Sequence, residues 1–154
     1  MRPAAALVLV TLGLVPLSLA ACAPQAGKAI NKDQLDEAVG AAIGDPNTCV
    51  VLASRSGKTV VYEFGNYLTC THPWPDCAGG KRTARDFLNQ TIGKAEATRE
   101  SCASLEDGSR GVAWSAGPTP DPDLAYAAAM EGPNVPPGVV IADKLKAAFE
   151  KAGL

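Results

Sequence analysis

Thiol, imidazole and carboxylate side chains meet in one stretch of the chain, Cys70-Thr-His72-Pro-Trp74-Pro-Asp76-Cys77. All three groups are accepted ligands for zinc or copper, so a metal site is one reading of the segment. The spacing matches no standard zinc knuckle, and the expectation is no metal and no cofactor. His72 is the only histidine in the 154 residues. Between turn-forming prolines it reads as a surface residue, and with Trp74 and Asp76 it makes Cys70 to Cys77 a candidate recognition loop. The competing reading is a small envelope hydrolase or metal-dependent enzyme that uses His72, with Asp76 beside it.

Other chemical signatures fail on spacing. Ser56-Gly57-Lys58-Thr59 contains the end of a phosphate-binding loop, but Leu52 stands where its first glycine is required. There is no S-x-x-K, G-x-S-x-G or C-x-x-C, so neither a serine nucleophile nor a redox pair is marked. Lys81, Arg82 and Arg85 form a small basic cluster that reads as solvated surface. No catalytic residue is therefore assigned. A formal charge of -2 gives no electrostatic reason for a nucleic-acid partner.

The N-terminus carries an address. Met1 and Arg2 precede an apolar run from Ala4 to Leu19, a signal-peptide pattern. The run ends in Leu19-Ala20-Ala21-Cys22, which resembles the lipobox of bacterial lipoproteins. That resemblance covers residues 1 to 22 only. It implies that Cys22 becomes the first mature residue and carries diacylglycerol. Two or more acyl chains, at roughly 0.8 kcal/mol per buried methylene, give a lasting anchor where one chain is marginal. Ala23 lacks the acidic character associated with inner-membrane retention, so the outer membrane is favoured where the host has one. An ordinary signal peptide cut after Ala23 is the alternative and discards Cys22.

The anchor explains an odd count. Of five cysteines, Cys22 goes to lipid and leaves Cys49, Cys70, Cys77 and Cys102 as an even set. In an oxidising compartment such a set reads as a disulfide framework with three possible connectivities. The favoured pairing is local, Cys70 with Cys77, leaving Cys49 for Cys102. The short loop is worth about 2 to 3 kcal/mol and the long one about 4 kcal/mol in the chain-entropy picture.

Elements must position these groups, and their punctuation is clear in places. Asn31 and Gln34 signal the start of a helix whose stripe is Leu35, Ala38, Val39, Ala42 and Ile43, with Ile30 as a staple and Gly44 and Pro46 as the stop. Cys49 to Ala53 and Thr59 to Phe64 flank a polar turn as a hairpin. Gly65 to Gly80 reads as one ordered loop. Thr83 and Asp86 open a second helix with Ala84, Phe87, Leu88, Thr91, Ile92 and Ala95 inward, fraying near Arg99 to Ser104. Gly111 to Ala116 is a strand, and Leu124 to Met130 reads as a short helix. Residues 132–138 form a loop, and Val139 to Ile141 is a strand or the lead-in to a last helix with Leu145, Ala148, Phe149 and Ala152 on one face. Trp114, Tyr126 and Phe149 read as core.

The expected fold is a single disulfide-stapled α+β domain over residues 30–154, a small antiparallel sheet packed by helices. Residues 1–21 are the signal and 22–29 the lipidated N-terminus and tether; 133 residues remain after cleavage. The layout is loosely similar to roadblock or profilin-like domains, a likeness of element order without a shared motif. The expected protein is a membrane-anchored envelope lipoprotein facing the periplasm or cell exterior. Its domain is a non-catalytic binding or structural module, with membrane lipid and an envelope protein as partners.

Overall fold

A computed structural model describes residues 29–56 and 58–154. The expected signal segment and the lipobox-like residues ending in Cys22 lie outside the described residues. None of the described helices is long and apolar enough to cross a membrane.

The chain forms α1 (Lys32–Ile43), β1 (Thr48–Ser54), β2 (Val60–Phe64), α2 (Tyr67–Thr71), β3 (Trp74–Pro75), β4 (Lys81–Arg82) and α3 (Ala84–Thr91). β5 (Thr98–Ala103), β6 (Gly111–Pro118), β7 (Leu124–Gly132) and α4 (Gly138–Lys151) complete it. Five strands make one antiparallel sheet in the order β2-β1-β7-β6-β5, and β3 pairs with β4 in a separate ribbon. This is the expected α+β single domain.

Alternation along each strand sends side chains to two cores. Val50, Leu52, Ala113, Tyr126 and Ala128 face α1 and α4, where Leu35, Val39, Leu145 and Phe149 cover them. Val51, Ala53, Trp114, Ala116, Ala125 and Ala127 face the other way, under Phe87, Leu88 and Ile92 of α3 and its C-terminal end. Both sheet faces are thus covered, and the central strand β7 is buried along its whole length.

Local signals account for the helix starts. Asn31 accepts a hydrogen bond from the Gln34 amide at 3.2 Å. Thr83 and Asp86 form a full capping box, whose bonds from the Thr83 amide and hydroxyl lower the Asp86 pKa.

Several expectations change. Leu124 to Met130 is strand, because β1 and β6 take up its backbone on both sides. Residues 99–103 belong to edge strand β5, since α3 ends at Thr91 and β6 pairs with them. Ala95 is exposed beyond that end. The segment 65–80 is not one loop: it contains a short helix and a strand. Val139 to Ile141 already belongs to α4.

Candidate functional site

Residues 65–82 form a strap across the sheet face that carries α3. One end is fixed by Cys49–Cys70, on β1, and the other by Cys77–Cys102, on β5. These strands are separated by β7 and β6. The local Cys70–Cys77 bridge and its Cys49–Cys102 counterpart are therefore not formed. α2 directs Cys70 inward, where it is buried against β1. Cys77 adopts a left-handed backbone conformation (φ 63°) in the turn between β3 and β4, reaching β5. All four cysteines are oxidised, so Cys70 and Cys77 offer no thiolate to a metal. Among the described residues no group of three or more metal-ligating side chains occurs.

The turn has its own logic. The Asp76 amide donates to the Gly80 carbonyl at 3.1 Å, and one Asp76 carboxylate oxygen accepts from the Ala78 and Gly80 amides at 2.9 and 2.8 Å. These amide bonds hold the Asp76 carboxyl below the usual carboxylate range. A Cβ on Gly80 would stand 2.6 Å from that carboxylate, and Gly79 has a φ of +97°. The Asp-Cys-Ala-Gly-Gly sequence thus builds a tight corner, and Asp76 is committed to it.

His72 and Trp74 do come together, with ring centroids 4.2 Å apart and planes tilted by 57°. Asp76 makes no hydrogen bond to His72, so the imidazole–carboxylate pairing needed for a hydrolytic base is not assembled. Just before these rings in the chain, α2 presents Tyr67 and Leu68, which are 76% and 75% exposed. The sequence offered no signal for this pair, because a five-residue helix inside a loop is too short to show a period. Large apolar side chains so exposed and held on a doubly anchored segment are suited to recognition.

Arg82, the last residue of the strap, is expected on the surface from the sequence but turns its side chain inward. It is buried, with its guanidinium carbon 3.8 Å from the Phe87 ring centroid and 4.6 Å from that of Trp114. One terminal nitrogen pairs with the Glu100 carboxylate on β5. The Trp114 indole donates to the Pro75 carbonyl at 2.8 Å, tying the strap to β6. Lys81 and Arg85 are exposed as expected; Arg85 pairs with Glu63 of β2 at 2.7 Å.

Fold and site define a disulfide-stapled α+β domain that presents a rigid, partly aromatic strap. No protein-family model, curated protein or solved structure matches the chain.

Proposed function

We propose that the chain is a bacterial envelope lipoprotein, anchored through acylated Cys22, whose domain binds an envelope protein through the strap rather than catalysing a reaction. The observation that carries the reading is the division of the cysteines. The described domain holds two disulfides, as an oxidising compartment allows, and the remaining cysteine stands in the lipobox-like Leu19-Ala20-Ala21-Cys22.

The layout of the domain is consistent with such an anchor. Ile30, at the start of the described domain, lies beside Ser54, Ser56 and Leu124, at the end of the sheet where β1 turns into β2. The strap crosses at the other end, where Cys49, Cys102 and Gly65 lie. The seven residues of β1 separate the two ends by about 20 Å. Residues 22–29 reach at most about 28 Å when fully extended. A domain held that close to a bilayer by its turn end presents Tyr67, Leu68, His72 and Trp74 away from the membrane, toward a partner in the aqueous envelope.

The test is Cys22→Ser. Loss of incorporation of a clickable fatty acid and release from the membrane fraction are expected; persistent labelling overturns the anchor. For the strap, Tyr67→Ala with Leu68→Ala leaves folding unchanged and removes partner crosslinking. Crosslinking that survives the pair counts against this surface.

A further inference from the structure

A second feature lies at the turn end of the sheet, away from the strap. A cleft of about 410 Å³ opens between one flank of α4 and the adjoining ends of β5 and β6. This is within the range of small-molecule sites. Its wall on α4 carries Asp143, Lys146 and Glu150, and Arg99 of β5 faces them from across the cleft. On α4 these charges alternate in sign at spacings suited to pairing along a helix. Among the described residues, none of the four makes an ion pair.

Tyr126 of β7 also lines the cleft, although it is only 4% exposed. Its hydroxyl shares a 2.8 Å hydrogen bond with the fully buried Ser115 hydroxyl. Each hydroxyl carries one proton and their mutual bond uses one. The other proton has no acceptor among the described residues. A buried donor left over is costly unless something else accepts from it. Burial raises the Tyr126 pKa, while the Ser115 bond and Arg99 lower it and Asp143 raises it. The phenol therefore stays a neutral donor, and charges of both signs act on it.

We propose that this cleft binds a small zwitterion, a molecule carrying an oxyanion and an ammonium group a few bonds apart. The oxyanion accepts from the Tyr126–Ser115 hydroxyl pair and lies between Arg99 and Lys146; the ammonium faces Asp143 and Glu150. Two sources share this chemistry: a free amino acid, and the ethanolamine phosphate head group of a membrane lipid. The second rests on the anchoring reading above, which places the turn end nearest the bilayer.

The experiment is a nuclear magnetic resonance titration of the full-length chain in detergent micelles with phosphoethanolamine and with alanine. Inorganic phosphate and ethylamine serve as single-charge controls. Saturable shifts of the Arg99, Thr119 and Asp143 amides with a zwitterion, and weaker binding of either single charge, are expected. Lys146→Gln and Tyr126→Phe each weaken the zwitterion about tenfold. Phosphatidylethanolamine in the micelle that blocks phosphoethanolamine identifies the lipid as source, with phosphatidylglycerol as the control. Alanine binding that is indifferent to the lipid identifies a free amino acid. Either result supports the cleft and is independent of fatty-acid labelling at Cys22. No saturable shift with either zwitterion up to about 10 mM overturns the proposal, as does phosphate alone binding equally well. If Tyr126→Phe disturbs folding, the exposed Lys146→Gln variant decides, and unchanged affinity there is refuting.

Discussion

Removing either disulfide while leaving the other distinguishes two loops in series from one loop nested inside another. The bridges close loops with sequence separations of 21 and 25. In the chain-entropy relation each is worth about 3.5 kcal/mol. In the nested alternative, Cys70–Cys77 inside Cys49–Cys102, the bridges are worth about 2.5 and about 4 kcal/mol, and removing Cys49 with Cys70, or Cys77 with Cys102, opens both and costs about 6.5 kcal/mol each time. The variants are Cys49→Ala with Cys70→Ala, since both are buried, and Cys77→Ser with Cys102→Ser, since Cys77 is exposed. With a urea slope of about 1.5 kcal/mol per molar, each pair lowers the unfolding midpoint by about 2 M. Non-reducing cleavage before aspartates provides the direct check. Asp45, Asp76 and Asp86 divide the cysteines so that residues 45–75 carry an internal bridge and 76–85 are linked to 86–106. A single species joining all three fragments, with either variant lowering the midpoint by about 4 M rather than about 2 M, would refute the reasoning.

Arg82→Ala removes a buried cation from two aromatic faces and leaves Glu100 without its partner, and is expected to cost about 3 kcal/mol in urea unfolding. Arg82→Met, which keeps the volume, costs less; equal losses count against the electrostatic account. Glu131 is held below the ordinary carboxylate range chiefly by bonds from Arg110, with Ser104 and Asn47 adding to it. Its stabilisation is present above the unfolded glutamate pKa and is lost as pH falls through the lowered folded value. Glu131→Gln should therefore flatten the acid limb of stability measured from about pH 6 down to about pH 2.5. Gly138→Ala places a Cβ 2.4 Å from the Trp114 carbonyl oxygen and 2.9 Å from that of Glu100. The start of α4 must shift, costing about 2 to 3 kcal/mol, or roughly 10 °C in melting temperature.

What was legible in the sequence was what is encoded locally. Asn31 and Thr83 announce their helices because a cap involves residues three apart, and the hairpin declares itself through apolar runs about a polar turn. β7 was misread because Leu-Ala-Tyr-Ala-Ala-Ala-Met is rich in a strong helix former and lacks strand alternation. Its state comes from neighbours on both sides, with helices over both faces. β5 is polar because it is an edge strand with every second residue exposed. The disulfide pairing was lost for a related reason: Cys70 and Cys77 are near in sequence, but α2 and the left-handed corner at Cys77 send them to different strands. At the candidate site, the His72–Trp74 contact follows from proximity. The engagement of Asp76 by its own turn and the burial of Arg82 required the tertiary structure.

The position of β7 also constrains the order in which the molecule can be made. It is the last strand in the chain, yet it occupies the middle of the sheet between β1 and β6. As a chain emerges N-terminus first, the β1–β2 hairpin and the β5–β6 pair can each form, but nothing joins them into a sheet until residue 132 is available. The pairing of Thr48 with Met130 spans most of the domain, the kind of distant contact that slows folding. No N-terminal portion is a smaller version of the whole, and synthesis interrupted before β7 leaves two half-sheets with exposed inner edges. The domain closes only when its final strand is inserted, which keeps the chain open until nearly all of it has emerged.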